Sequence, residues 1–153
     1  MQEKKTKKHF RLYLAIIIAI IYLAVLFVVA FQYMNTNRYW DICVLDTTIT
    51  TESGQDIYVK TIVKNKMYYL LGSSENYFIS YHIYDEGGNT IAYENPRTTI
   101  TDILPGQKGI VNVQIKAPPE KGRYIIEIDM VKEGEYWFKN RGERPGELYL
   151  KVD

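Results

Sequence analysis

The side chains best suited to chemistry gather toward the C-terminal part of the chain. Tyr136-Trp137-Phe138 places three aromatics in a row, with Glu135 before them and Arg141 shortly after. Exposed together beside polar neighbours, such rings suit stacking on sugar rings or anchoring a protein partner. Neighbours on a strand point to opposite faces, however, so Trp137 cannot share a face with both of its partners. Large aromatics also dominate small cores, and packing is therefore the first reading: one face fills the core and the other lies under the last loop. A second cluster is charged and comprises Arg97, Glu127, Asp129 and Glu133. Carboxylates in this number could hold calcium, which takes roughly six or more oxygens, but no EF-hand or dense Asp/Asn loop is present. An Arg–carboxylate bridge is the simpler expectation, because the guanidinium fork matches carboxylate geometry. Met67-Tyr68-Tyr69-Leu70-Leu71-Gly72 is an apolar run where a polar loop is expected. It reads either as an extension of the preceding strand or as a loop offered to a partner or to a membrane surface.

Catalysis finds little support. His82 stands mid-strand, with no Cys or Asp at the spacing of a nucleophilic motif. The other histidine, His9, belongs to a basic tail, so no metal-binding pair forms. Gly87-Gly88 reads as a hairpin turn rather than a phosphate loop. Neither an enzyme activity nor a cofactor or metal is expected.

These residues are carried by two unlike parts of the chain. Leu12–Phe31 contains twenty residues and no charge, enough for a helix of roughly 30 Å, the hydrocarbon thickness of a bilayer. Lys4, Lys5, Lys7, Lys8 and Arg11 precede it against the single acid Glu3, whereas only Arg38 follows before Asp41. The asymmetry predicts a cytoplasmic N-terminus and an external C-terminal part. Tyr13, Tyr33, Tyr39 and Trp40 flank the run, as expected at headgroup level. Val28-Val29-Ala30 would serve as a cleavage site, but signal h-regions run to about 7–15 residues, and the longer run favours an uncleaved anchor. The expected organisation is a basic tail over 1–11, a transmembrane helix over 12–34, a juxtamembrane linker over 35–39 and an extracytoplasmic domain over 40–153.

From Asn35 onward there are 14 Lys+Arg against 17 Asp+Glu, a net charge of −3 that the basic tail conceals. A mildly acidic domain argues against nucleic acid as a partner. Cys43 is the only cysteine, which excludes an intrachain disulfide. It reads as a small buried apolar residue, with an interchain disulfide as the minority alternative. The domain is rich in Val, Ile, Thr and Tyr, in short runs separated by turn residues. Expected strands are 41–50, 57–65, 77–84, 90–94, 98–103, 109–116, 123–132, 136–139 and 147–152. Alternation puts Val111, Val113 and Ile115 on a core face, likewise Tyr124, Ile126, Ile128 and Met130, with Glu127 and Asp129 outward. The fold class is all-β: an antiparallel two-sheet, Ig-like sandwich preceded by one transmembrane helix.

The turn chemistry also carries a resemblance. Leu104-Pro105-Gly106-Gln107, then Val111, Val113 and Ile115, then Ala117-Pro118, then Gly122-Arg123-Tyr124 with Ile126 and Ile128, resembles bacterial Ig-like modules of the CARDB and NEW3 types. The stretch from Asp129 to Phe138 with Arg141-Gly142, and Arg97-Thr98 upstream, resembles a variant found in membrane-linked envelope and glycan-assembly proteins. The resemblance implies a sandwich and cell-envelope work, not a reaction. The resulting expectation is a non-catalytic, membrane-anchored binding or assembly module, an accessory subunit of an envelope complex. Its partners would be the lipid bilayer and another membrane or envelope protein. The alternative is a tethered carbohydrate-binding module acting on surface glycan. Candidate contact residues are Tyr136, Trp137, Phe138, Arg141, Arg97, Met67, Tyr68 and Tyr69.

Overall fold

The computed structural model describes residues 2–34 and 37–153, with side chains over 13–31 and from 37 onward. The chain divides into two units, a helix and a β domain. Helix α1 (Gln2–Met34) contains the apolar stretch Tyr13–Phe31, with mean hydropathy 3.2 and no residue buried. A helix satisfies its own backbone hydrogen bonds, which is what hydrocarbon demands of a spanning segment. Its length and apolarity suit a membrane span, a criterion that a signal sequence also meets. The side chains of the basic tail and of Tyr33 lie outside the described residues, as do Asn35 and Thr36 of the expected linker.

Among the described residues the domain has nine strands in two sheets. The smaller sheet joins β1 (Trp40–Val44), β3 (Asp56–Asn65) and β6 (Lys108–Lys116), in the order β1-β3-β6, all antiparallel. The larger contains β2 (Thr48–Thr51), β4 (Tyr77–Asp85), β5 (Thr90–Ala92), β7 (Gly122–Lys132), β8 (Tyr136–Trp137) and β9 (Gly146–Val152). Its order is β2-β9-β7-β4-β5, with β8 also on β7, and only β2 and β9 are parallel. Alternation along the strands aims one face of each sheet inward, so Val59, Val113, Ile79, Ile126, Ile128 and Leu148 are fully buried between the sheets.

Several expectations are corrected. The run 41–50 is two strands, because the chain leaves the smaller sheet after Val44 and joins the larger at Thr48. The amide N–H of Leu45 still bonds Lys60, whereas the carbonyl of Thr47 already accepts from Tyr149. The segment 98–103 is not a strand. It makes only two bridges, Ile79 with Thr98 and Leu71 with Ile103, while placing Ile100 and Ile103 in the core. Cys43 is exposed, since its position in β1 faces away from the core. Trp40 is fully buried, edge-on to Phe138 at 5.8 Å, and is not free to sit at a headgroup interface.

Candidate functional site

The aromatic triplet is divided by strand geometry. Tyr136 pairs with Lys132 and Trp137 with Val131, so β8 turns the two rings to opposite sides. Phe138 then enters the main core against Trp40, Tyr39 and Tyr77. With Phe138 1% and Trp137 7% exposed, the triplet does not form one exposed platform. Tyr136 remains half-buried, stacked on Phe138 at 5.8 Å, with the exposed Arg141 guanidinium 3.7 Å above its ring.

Trp137 closes a second, polar core on the outer face of the larger sheet. Ser80 and His82 lie across from Asp129 and Glu127 in the β4–β7 register. Ser80, His82 and Asp129 are fully buried, although alternation alone turns them outward. The segment after β5 covers them. His82 Nδ1 lies 2.6 Å from the Tyr93 carbonyl, which only accepts, so this nitrogen carries the hydrogen. The imidazole is held between Tyr93 at 4.1 Å and Trp137 at 4.4 Å. Its Nε2 makes no hydrogen bond among the described residues and lies 3.8 Å from Asp129 Oδ2. A ring sealed in this way cannot meet a substrate. Asp129 accepts from the backbone N–H groups of Met130 (2.7 Å) and Lys139 (3.1 Å), fixing the short 3₁₀ turn Lys139–Arg141.

Arg97 is the lid of this cluster. Its Nε donates to Glu133 and its Nη2 to Glu94, both at 2.8 Å, while Nη1 reaches the Asn95 carbonyl at 2.9 Å. Its guanidinium also sits 4.7 Å from the Trp137 ring centre. Burial opposes the Arg97 charge, but the two carboxylates outweigh it and hold the pKa above the usual value. The hydrogen bond from Arg97 lowers the Glu94 pKa, against burial, with help from Trp137 Nε1 at 3.2 Å. The Arg–carboxylate bridge thus joins Arg97 to Glu133 and Glu94. Of the expected cluster, Glu127 binds Lys139 Nζ instead, and Asp129 serves backbone amides.

The apolar run 67–72 is a loop with a divided character. Met67 (5% exposed) and Leu71 (0%) are core residues, whereas Tyr68 is 92% and Tyr69 38% exposed. Asn65 pins the loop. Its Nδ2 donates to the carbonyls of Tyr69 and Ile103, and its Oδ1 accepts from the Met67 amide, all at 2.8 Å. At Gly72 the chain passes against Asp102, where any Cβ would lie 2.7 Å from the Asp102 Cα. Tyr68 is therefore presented on a fixed base. It stands edge-on to Tyr69, which stacks on Tyr77, which in turn meets Phe138 and through it Tyr136. Burial, together with the Tyr69 and Tyr136 hydroxyls, pushes the Tyr77 pKa well above the ordinary tyrosine range.

Sequence reasoning missed two features. Glu143 is a buried carboxylate that accepts from the amides of Arg38 (2.9 Å) and Tyr39 (3.1 Å), tying the start of the domain to its C-terminal part. Asn37 and Arg144 exchange two further bonds. The other is a groove of about 460 Å³ beside β2, β7 and β9, lined by Thr48, Thr50, Arg123, Ile125 and Tyr149 among others. The 55% exposed Tyr149 follows from strand alternation, but a groove across three strands requires knowledge of sheet order.

No protein-family model matches the chain, and no curated protein matches it in sequence. Solved structures similar to it include the CARDB domain of a Pyrococcus furiosus protein, with 14% identity, a TM-score of 0.45, and coverage of 74% of this chain and 92% of that one. The C-terminal domain of wzt is similar at 11% identity and a TM-score of 0.43, over 77% of this chain and 72% of that one. A Pseudomonas fluorescens alkylpurine DNA glycosylase, AlkC, bound to DNA with an abasic site analog, is similar at 12% identity and a TM-score of 0.46. That match covers 80% of this chain and only 33% of the glycosylase. A CARDB domain is thus among the similar backbones, and at these identities the likeness concerns the backbone alone.

Proposed function

We propose that the chain is a single-pass membrane protein with its N-terminus in the cytoplasm, and that its sandwich is a non-catalytic binding module outside the bilayer. In this reading it is an accessory subunit of a cell-envelope assembly, and its partner is another membrane protein. The observation that carries the reading is the close covalent coupling of a helix with a charge-free, unburied apolar stretch, Tyr13–Phe31, to a sandwich fastened from its first residues. Only Asn35 and Thr36 separate Met34 from Asn37. Three Cα steps cover at most about 11 Å. A module held that close to a bilayer meets membrane-embedded neighbours first. Arg141 over Tyr136 supplies an exposed cation–aromatic rim of the kind that anchors protein contacts.

A photo-crosslinking amino acid in place of the exposed Asn140, next to Arg141, tests this in native membranes. The expected result is one membrane-protein adduct that unlabelled full-length protein competes away. Adducts that are absent, or that resist competition, would contradict it. A tethered carbohydrate-binding module is the second reading, favoured by the groove in which Tyr149 stands beside the Thr48 and Thr50 hydroxyls. It requires saturable binding to cell-wall polysaccharide that Tyr149→Ala abolishes.

A further inference from the structure

The loops at one end of the sandwich carry exposed apolar side chains that the core does not use. Tyr68 is 92% exposed, and Leu104, in the Leu104-Pro105-Gly106-Gln107 turn, is 51% exposed. Both loops are fastened by hydrogen bonds to the sandwich. The Leu71–Ile103 bridge ties them together, Gly106 donates to the Asn65 carbonyl, and Asn65 in turn holds Met67 and Tyr69. The same end holds the start of the domain. The Lys66 amide bonds the Tyr39 carbonyl, and its Nζ reaches the Asn37 carbonyl and Asp41. The Tyr68 and Leu104 loops thus flank the point where the chain arrives from the apolar helix.

We infer that this end docks on the bilayer itself, with Tyr68 and Leu104 entering the headgroup region and Tyr69 at its margin. The inference rests on the transmembrane reading of α1. Three observations select lipid as the occupant. The tether between Met34 and Asn37 is two residues long, so the end of the domain bearing Asn37 is held within about 11 Å of the last helical residue. The projecting residues are of the interfacial kind: tyrosine has an apolar body and a polar tip, and it favours the headgroup level. The charges of the neighbouring loops and strand ends are of mixed sign, Arg38, Lys64, Lys66 and Lys108 against Asp41 and Asp102, whereas the projecting side chains are apolar or aromatic. Contact is therefore driven by apolar and aromatic surface and does not need anionic lipid. Docking of this type would restrict the swing of the module and leave the Arg141–Tyr136 rim for protein contacts.

The test uses full-length protein with Cys43→Ser, reconstituted in phosphatidylcholine vesicles. A nitroxide is placed singly at Tyr68→Cys, Leu104→Cys, Phe27→Cys in the helix, or Glu120→Cys at the opposite end of the sandwich. Collisions with oxygen and with a water-soluble nickel chelate report depth. The expected pattern is deep burial at Phe27→Cys, headgroup depth at Tyr68→Cys and Leu104→Cys, and water at Glu120→Cys. Adding phosphatidylglycerol should leave the pattern unchanged. Water-like values at Tyr68→Cys and Leu104→Cys beside a deep Phe27→Cys would overturn the docking and spare the span. A water-exposed Phe27→Cys would overturn the span, and the docking with it. Shielding that occurs only in native membranes would assign these loops to a protein partner and overturn the lipid assignment.

Discussion

The two faces of the larger sheet are built on different principles. Its inner face is apolar: Ile79, Tyr81 and Ile83 on β4 meet Ile126, Ile128 and Met130 on β7, all buried. Its outer face buries Ser80, His82 and Asp129 on the same two strands, one residue out of phase. The inner face is held by shape and apolar area, which tolerate many sequences. The outer face is held by specific partners: His82 by Tyr93, Asp129 by two amides, and Arg97 by two carboxylates and an indole ring. A loop and a two-residue strand are thereby fixed to a surface that an ordinary sandwich leaves to water.

The comparison breaks first at its strongest point. Ile128→Ala should cost about 2–5 kcal/mol in urea unfolding, as for other buried aliphatic truncations. Ile125→Ala, three positions away and so on the half-covered outer side of the same strand, should cost under about 1 kcal/mol. Equal costs would erase the distinction between the faces. Asp129→Ala comes next, at about 1–3 kcal/mol, because it strands the Met130 and Lys139 amides. Amide exchange should accelerate at Lys139 and in the turn after it. If Lys139 keeps its protection, Asp129 does not fix that turn.

The inner face was legible in the sequence, and the outer face was not. Val111, Val113 and Ile115, and Tyr124, Ile126, Ile128 and Met130, show a period of two that one buried face imposes, and the structure buries each of them. The same period assigns Ser80, His82 and Asp129 to solvent. What covers them is a segment brought over by sheet order, and no local pattern encodes that. The division of 41–50 between sheets escaped for the same reason, since both halves have strand composition. The exposure of Tyr68 beside the buried Met67 and Leu71 depends on Asn65, a polar residue whose three side-chain bonds are all with the loops it pins.

Smaller effects sharpen the comparison. Arg97→Ala should cost about 1 kcal/mol, since its ion pairs are partly solvated and its ring contact is modest. A loss as large as that of Ile128→Ala would make Arg97 part of the core proper. The smallest effect is a pH dependence. Arg97 lowers the Glu94 pKa on folding, so the stability contributed by Glu94 is present above the ordinary Glu value of about 4.3 and is lost as pH falls through the depressed value. Glu94→Gln should flatten the acid limb of a stability–pH curve below about pH 4 and leave the neutral region nearly parallel to wild type. An unchanged acid limb would mean that Arg97 does not act on Glu94.

The central claim is an uncleaved anchor with the sandwich outside. The most direct measurement adds protease to spheroplasts expressing the chain with a tag at each end, and sequences the N-terminus of the mature protein. The account predicts that the C-terminal tag is digested, that the N-terminal tag is protected, and that Leu12–Phe31 remains in the mature chain. A protected C-terminal tag, or a mature N-terminus at Phe31, would contradict it.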